Sequence, residues 1–124
     1  MTKRKLSDSE SIARFAVEGM KEKKGHDIVM IDLRGLHASV ADFYVICHGD
    51  SDKQVEALAD SVESFVKKGL KENPYSREGQ RNAEWVLIDY INVVIHIFVK
   101  DKRHHYGIET LWGDGKFTEY ADEY

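Results

Sequence analysis

An acidic pair beside a glycine is the pattern in this chain that points most directly to chemistry. Asp50 and Asp52 follow Gly49 with one residue between them. Enzymes that transfer nucleotides place two carboxylates after a glycine turn, because the pair can hold a divalent metal against a triphosphate. Such a site needs further carboxylates from the sheet, and Asp32 and Asp89 are the candidates. The pattern keeps open a metal-dependent nucleotidyltransferase.

The same segment has a structural interpretation, which we favour. Ser51 is a strong helix N-cap residue, and Gln54 stands three positions later as the second member of a capping box. Asp50 and Asp52 would then complement the positive end of the helix that follows. We therefore expect a helix cap here, and no catalytic residue.

Histidine and cysteine form no metal-ligand or nucleophile pattern. The histidines are His26, His37, His48, His96, His104 and His105. None belongs to a motif such as His-Glu-x-x-His, and adjacent residues of an extended chain point to opposite sides. Cys47 lies in an apolar run, where burial raises the pKa of the thiol and leaves it unreactive. We expect neither a metal nor a cofactor.

A more promising set of residues lies near the end of the chain, on two strands that should form a hairpin. Trp85, Leu87 and Asp89 alternate along the first strand and share one face, as His96 and Phe98 do on the second. Trp85 and His96 carry polar atoms that need partners, so neither is an ideal core residue. This hairpin is therefore a candidate binding surface.

Two long amphipathic helices and four short strands must position these residues. The predicted elements are a helix between Ser7 and Gly25, strands at 26–33 and 43–48, a helix from Ser51 to Asn73-Pro74, an exposed loop at 74–83, strands at 84–90 and 93–99, a short helix at 108–112 and a frayed acidic tail at 117–124. Ser7 and Glu10 form a capping box, and Asn92 suits a left-handed turn position in the hairpin. The pattern predicts an α/β domain, with a mixed sheet flanked by helices in the order α-β-β-α-β-β-α.

Composition limits the classes of partner. The 124 residues hold 18 Lys plus Arg against 22 Asp plus Glu, a net charge of -4, with 42% hydrophobic residues. An acidic chain is a poor match for phosphate backbones and a better one for a basic protein. One cysteine allows no disulfide, and the longest apolar stretch, 91–99, is too short to span a membrane. We expect one soluble, cytoplasmic domain over residues 1–124, with little direct nucleic-acid contact.

Several stretches resemble one known family in the correct order. They are ADFYVICHG at 41–49, SDKQV at 51–55, WVLIDY at 85–90, VVIHIF at 93–98, Arg103 with Tyr106, and ETLW at 109–112. Together they resemble the bacterial ribosomal silencing factors, the Iojap-like family, over a core of about residues 8–114 that leaves an acidic tail at 115–124. Two places differ from the usual family pattern, Ile91-Asn92 in the hairpin turn and His48 with Asp50 around Gly49.

The resemblance implies a fold like that of nucleotidyltransferases, without catalysis. It also implies that the chain binds the large-subunit ribosomal protein L-fourteen on the intersubunit face. There it would block joining of the small subunit and lower translation when nutrients are scarce. A homodimer of the free chain is allowed.

The resemblance and the hairpin pattern converge on one set of site residues. The predicted partner-binding residues are Trp85 as apolar anchor, with Leu87, Asp89, Tyr90, His96 and Phe98. Tyr106, Leu111 and Trp112 are rivals, although we expect Leu111 and Trp112 to pack the last helix onto the sheet. The alternatives are the nucleotidyltransferase that uses Asp50 and Asp52, and a large-subunit assembly factor.

Overall fold

A single mixed sheet organises the part of the chain that the computed structural model describes, residues 8–79 and 84–124. Within these residues the strands are β1 (His26–Asp32), β2 (Phe43–Gly49), β3 (Ser76–Glu78), β4 (Trp85–Asp89), β5 (Val93–Val99) and β6 (Lys116–Tyr120). The helices are α1 (Ser9–Glu22), α2 (Asp52–Leu70), α3 (Arg103–Tyr106) and α4 (Ile108–Leu111), with a 3₁₀ turn at Lys100–Lys102. The predicted α/β class with a mixed sheet is confirmed.

The sheet has the strand order β3-β4-β5-β2-β1-β6. β2 and β5 pair in parallel in its centre, and the other neighbouring strands pair antiparallel. β4 and β5 form the predicted hairpin, in which Trp85 lies opposite Phe98 and Leu87 lies opposite His96. The central position of β5 brings this hairpin next to β2, so side chains of all three strands can form one surface.

Two segments that the sequence presented as irregular are strands. Residues 76–78, expected in an exposed loop, pair with β4, and Arg77 there bonds Asp60 and Glu63 of α2. Residues 116–120, partly within the tail expected to be frayed, pair with β1 as β6. Both expectations were wrong because edge strands need only short pairing segments, and most of their side chains face solvent, which removes the apolar alternation. Residues 80–83 of the predicted loop lie outside the described part.

The start of α1 differs from the expectation, and the start of α2 agrees with it. α1 begins after Asp8, whose carboxylate accepts the backbone N–H of Ser11, and the predicted cap Ser7 lies outside the described residues. At α2, Ser51 Oγ accepts the backbone N–H of Gln54, and Gln54 Oε1 accepts that of Asp50. The predicted cap at Ser51 is therefore confirmed, and Gln54 satisfies a further backbone donor.

Gly25 does not end α1 by taking the left-handed conformation. That role belongs to Lys24, which has a φ of 59°, while the N–H of Gly25 reaches back to the carbonyl of Met20 at 2.8 Å. A side chain at position 25 would lie 3.0 Å from Leu58 and 3.2 Å from Cys47. Glycine therefore lets this position pack against α2 and β2 without displacing Leu58 or Cys47.

The hairpin turn also differs from the prediction. Ile91, and not Asn92, has the positive φ, at 74°. The N–H of Asn92 bonds the carbonyl of Tyr90 at 2.9 Å, which closes a γ-turn with Ile91 at its centre. The carboxylate of Asp89 accepts the N–H of Ile91 at 2.7 Å and holds the turn in place.

The two faces of the sheet are covered unequally. α1 and α2 pack on one face over the main core, which includes Val45, Leu58, Val62, Ile95 and Ile97. The opposite face carries a smaller buried cluster, centred on Ile31, Ile46 and Phe98. In the described part of the chain, the side chains that pack over this cluster are partly buried: Leu36, Tyr44, Trp85, Ile108 and Trp112. Within the described residues, no helix is long and apolar enough to cross a membrane. Five of the six predicted site residues lie on this thinly covered face, and Tyr90 lies on the opposite one.

Candidate docking site

Six ring-bearing side chains form one continuous surface on the thinly covered face of the sheet. They are Tyr44, Trp85, His96, Phe98, Tyr106 and Trp112, and we call this set the aromatic face. Tyr44, Trp85 and Trp112 are partly exposed and Tyr106 is exposed, whereas His96 and Phe98 are buried beneath them. The surface therefore has an outer layer that a partner can touch and an inner layer that supports it.

Trp85 lies at the centre of this surface. Its indole stacks on Phe98 with ring centroids 5.2 Å apart, and Tyr106 lies 4.4 Å away. The indole N–H donates a hydrogen bond to Nδ1 of His96 at 3.1 Å. These contacts hold the ring in one orientation while part of it remains accessible, which is the arrangement expected of an interface anchor.

His96 is a neutral group in the inner layer. It is only 3% exposed, and burial lowers the pKa of its imidazole to about 4. Because an indole N–H can only donate, Nδ1 of His96 must be the acceptor, and the ring proton resides on Nε2. His96 therefore supports Trp85 as a neutral imidazole.

Three members of the aromatic face were not among the six predicted residues. Tyr44 packs edge-on against His96 at 4.6 Å and against Trp112 at 5.8 Å. Tyr44 is in a continuous apolar run of β2, so the sequence gives no sign of which face it occupies. Tyr106 and Trp112 were named only as rivals, and they reach the face through the short helices that follow β5. Their proximity to Trp85 depends on the tertiary fold.

Five of the six predicted site residues share this side of the sheet. Trp85, Leu87 and Asp89 are partly exposed there, next to the buried His96 and Phe98. Tyr90 is on the opposite side, 7% exposed and part of the main core under the helices. The prediction that Tyr90 belongs to the same surface therefore conflicts with its placement, because adjacent strand residues point to opposite faces.

The last helix packs differently from the expectation for one residue. Trp112 does pack onto the sheet, against Tyr44. Leu111 is 72% exposed, so the expectation that it packs inward was wrong. The short helix presents Trp112 inward and leaves Leu111 at its outer side.

Arg103 positions the segment that carries Tyr106. This side chain is 6% exposed and forms a two-point ion pair with Glu109, at 2.8 and 3.1 Å. It also donates to Nδ1 of His48 at 3.0 Å and to the carbonyl of His26 at 3.3 Å. Burial and the neighbouring guanidinium lower the pKa of His48, which keeps this imidazole neutral. Arg103 thus ties the short C-terminal helices to β1 and β2, and it fixes Tyr106 next to Trp85.

The carboxylates considered for metal binding do not converge. Asp50 follows β2 and bonds Nε2 of His26 at 3.1 Å, while Asp52 accepts the N–H of Lys53. Asp32 pairs with Phe43 at the opposite end of β2, and Asp89 lies at that same far end. Six residues of strand separate the two ends, a distance of about 20 Å. Asp32 and Asp89 are therefore placed too far away to complete a site at Asp50.

Cys47 has the environment that its apolar run predicted. Its thiol is fully buried between the sheet and the helices, and burial raises the pKa to about 12. At neutral pH the thiol is protonated and inaccessible, which suits a packing role. The aromatic face, by contrast, is partly exposed and largely apolar, which suits contact with a protein partner.

Comparisons with known proteins agree with these observations. The family described as "Ribosomal silencing factor during starvation" matches residues 6–123. The chain is similar to the ribosomal silencing factor RsfS of Bacillus subtilis, with 38% identity over 113 residues that cover 90% of this chain and 93% of the relative. It is 36% identical to the Haemophilus influenzae protein of the same name, over 82% of this chain and 98% of the relative.

Solved structures share the fold. A crystal structure of a Chromobacterium violaceum protein superposes with a TM-score of 0.80 at 36% identity, covering 86% of this chain and 88% of that one. One from Bacillus halodurans superposes with a TM-score of 0.76 at 34% identity, covering 90% of this chain and 100% of that one. The similarity in sequence extends over nearly the full length of this chain, and the solved structures of similar sequence have the same fold. This chain therefore belongs to the ribosomal silencing factor family.

Proposed function

We propose that this chain represses translation by docking on the large ribosomal subunit. It would bind ribosomal protein L-fourteen on the intersubunit face and thereby occupy surface that the small subunit needs. The observation that carries the proposal is the aromatic face, a partly exposed cluster centred on Trp85, in a chain of the ribosomal silencing factor family. Steric exclusion by a docked domain requires no chemical step.

The physical properties of the surface support a protein partner. Trp85 and Tyr106 are in contact and both are accessible, and a few such aromatic anchors supply much of the free energy of an interface. The net charge of -4 favours approach to a partner with a basic surface. An interface of about 800 Å² on each partner is enough for stable docking.

We also propose that the chain acts without catalysis, in the cytoplasm. The carboxylate of Asp50 is engaged with His26, and Ser51 caps α2 with its hydroxyl. Asp32 and Asp89 are at the opposite end of the sheet. These contacts account for the acidic segment around Gly49 as a helix cap. Pairing of two free copies stays a prediction.

The proposal is tested by the change Trp85→Ala. We expect the variant to lose about 2–4 kcal/mol of binding free energy for isolated large subunits, or about 30- to 1000-fold in affinity. Co-sedimentation of the purified chain with isolated large and small subunits measures this, and only the large subunit should carry the chain down. A folded Trp85→Ala variant that binds as tightly as the wild type would contradict the proposed site.

Tyr75→Ala provides a matched control. Tyr75 is another accessible aromatic residue, 76% exposed, and it lies beside β3 outside the aromatic face. Its removal should leave co-sedimentation unchanged. If both variants weaken binding equally, general loss of surface aromatic area would explain the effect, and Trp85 would not be a specific anchor.

Assembly of the large subunit is a second candidate function. A mouse relative is named "Mitochondrial assembly of ribosomal large subunit protein 1", and it is 25% identical over 75% of this chain. The chain spans 41% of that relative, so the relative has much sequence outside the shared part. Mixing the chain with mature large and small subunits separates the two functions. A repressor prevents the subunits from joining, whereas an assembly factor leaves mature subunits able to join.

A further inference from the structure

His96 holds a buried hydrogen-bond donor that no atom of the described residues accepts. Its Nδ1 accepts the indole N–H of Trp85 at 3.1 Å, so the neutral ring carries its proton on Nε2. This Nε2 is buried, and it has no hydrogen-bond partner within residues 8–79 and 84–124. The ring is 3% exposed, and burial keeps it neutral by lowering its pKa to about 4.

An unused donor of this kind destabilises the free protein. Burying a polar N–H without an acceptor costs roughly 1–3 kcal/mol, and buried polar groups in proteins are nearly always bonded. The hydrogen bond to Trp85 does not explain why position 96 is a histidine, because that bond uses only Nδ1. The second nitrogen therefore needs an explanation of its own.

Neighbouring rings offer the Nε2–H only a weak substitute. The rings of Tyr44 and His96 meet at 61° with centroids 4.6 Å apart, an edge-to-face arrangement. A contact between an N–H and a π system is weaker than a bond to a carbonyl oxygen. The ring of Phe98 is nearly parallel to that of His96, at 7° and 6.3 Å, and it has no acceptor atom. A partner that offers an oxygen acceptor would therefore give the Nε2–H of His96 a stronger contact than it has in the free chain.

Partly exposed side chains lie next to the ring that carries this donor. Leu87 lies directly opposite His96 in the hairpin, and Tyr44 and Trp85 contact its ring. All three are partly exposed, and Tyr44 and Trp85 belong to the outer layer of the aromatic face. Changes of side-chain rotamer are common when interfaces form, even where the backbone stays fixed. A small movement of Leu87 or Tyr44 would open Nε2 to a docked partner.

We propose that the Nε2–H of His96 is the hydrogen-bond donor with which the aromatic face recognises its protein partner, and that the partner supplies a backbone carbonyl. A neutral donor in apolar surroundings fits a neutral acceptor, since a carboxylate there would lose its hydration without meeting a cation. This inference rests on the proposed function, because it assigns a role within the same docking surface. It adds a polar contact at the centre of a surface that otherwise binds through apolar area.

Two substitutions at one position separate the roles of the two ring nitrogens. His96→Asn places an amide oxygen near the position of Nδ1, so it can accept from Trp85, but it removes the donor at Nε2. His96→Gln extends its amide toward the position of Nε2 and can keep a donor there, while the acceptor for Trp85 is lost. We expect His96→Asn to weaken binding to isolated large subunits by about tenfold. His96→Gln should weaken it less.

Trp85→Ala, measured in the same co-sedimentation series, distinguishes failure of this inference from failure of the proposed function. If Trp85→Ala loses binding and a folded His96→Asn variant binds within about twofold of the wild type, the donor role is wrong and the docking surface stands. If neither substitution matters, the docking surface is wrong as well. Thermal unfolding and the NMR signal of the Trp85 indole N–H show whether His96→Asn keeps the fold and the support of the indole.

The unaltered chain gives an independent test that does not depend on any variant. ¹⁵N NMR of the free protein distinguishes the two neutral tautomers of a histidine ring. We expect the proton of His96 to be on Nε2 at neutral pH. A proton on Nδ1 would overturn the proposal, because Nδ1 would then be unable to accept from Trp85 and Nε2 would have no hydrogen to offer.

Discussion

At the scale of single residues, Ile91 holds a backbone conformation that costs free energy. Its φ is 74°, a region that branched side chains avoid because Cβ crowds the carbonyl oxygen. The turn forms nevertheless, since the N–H of Asn92 bonds the carbonyl of Tyr90 and the carboxylate of Asp89 holds the N–H of Ile91. The side chain of Ile91 is 56% exposed, so it recovers little by packing. Asp89 therefore serves the turn in addition to any contact it makes with a partner.

Ile91→Gly should stabilise the protein. Glycine takes positive φ at no steric cost, and relief of the strained conformation is expected to raise the free energy of unfolding by about 1 kcal/mol. Urea unfolding followed by circular dichroism measures the change. Binding to large subunits should stay as it is, because the turn lies at the end of the aromatic face.

Asn92→Gly tests which residue of the hairpin turn has the left-handed conformation, Ile91 as in the structure or Asn92 as the sequence predicted. Asn92 is not among the residues with positive φ in the described part of the chain, so glycine there only adds freedom to the unfolded state. It should lower stability slightly or leave it unchanged. If Asn92→Gly raised the free energy of unfolding and Ile91→Gly lowered it, the left-handed residue would be Asn92.

At the scale of elements, α1 and α2 approach each other closely at Gly19. A Cβ at this position would lie 2.8 Å from the carbonyl oxygen of Ser61 and 2.8 Å from Cα of Val62. The hydroxyl of Ser61 donates to the carbonyl of Gly19 at 2.7 Å, which ties the two backbones together at the same point. The contact consists mainly of backbone atoms, so side-chain rotation cannot relieve a clash.

Gly19→Ala should therefore destabilise the protein, although alanine is ordinarily the better helix former. The intrinsic gain of about 1 kcal/mol is offset by a steric cost, so we expect a net loss of roughly 1–2 kcal/mol in the free energy of unfolding. Gly113→Ala is the matched control, because a Cβ there meets its nearest atom at 3.4 Å, an ordinary contact. Equal stability of Gly19→Ala and the wild type would mean that the helices are farther apart.

The sequence predicts the strongly patterned elements well and the edges of the sheet poorly. α2 and the β4–β5 hairpin carry long apolar periods. The ends of β4 and β5 were predicted to within one residue, whereas α2 ends at Leu70, three residues before the predicted stop at Asn73. β3 has three residues and β6 is almost wholly exposed, so their pairing with β4 and β1 leaves little trace in local composition. These strands form because a neighbouring strand supplies hydrogen bonds, which is a tertiary effect.

The candidate site likewise has some members that the local sequence predicts and others that depend on the tertiary fold. Alternation along the hairpin predicts that Trp85, Leu87 and His96 share a surface, and they do. The same alternation argues against Tyr90, which is adjacent to Asp89 and points to the other face. Tyr44 and Trp112 join the surface because β2 pairs with β5 and the last helix folds back, and neither relation can be read from local sequence.

At the scale of the whole molecule, the C-terminal residues are fastened to the first strand. The carboxylate of Asp122 accepts from Nδ1 of His26 at 2.9 Å and from the backbone N–H of Asp27 at 3.1 Å. On the other side of the same ring, Nε2 of His26 bonds Asp50 at 3.1 Å, and the hydroxyl of Tyr124 bonds the carbonyl of Gly25 at 2.8 Å. His26 thus joins the beginning of β1, the loop before α2 and the chain end.

This junction should depend on pH, because both ring nitrogens of His26 face carboxylates and only the imidazolium can donate to both. Hydrogen bonding to Asp122, and then to Asp50, raises the pKa of His26 above its unfolded value of about 6.5. The contribution of the His26 junction to stability is therefore complete below about pH 6.5, and it is lost as pH rises through the higher folded pKa.

The variant His26→Gln tests this dependence. The free energy of unfolding of the wild type should exceed that of His26→Gln by up to about 1 kcal/mol near pH 5.5, and by less near pH 8.5. The lowered pKa values of His48 and His96 act in the opposite direction. Both residues are present in the two proteins, so comparing the two by urea unfolding removes the contribution of His96 and reports His26 together with its effect on the neighbouring His48, 5.5 Å away. A difference that grows toward alkaline pH would show that the imidazolium is not what holds the chain end.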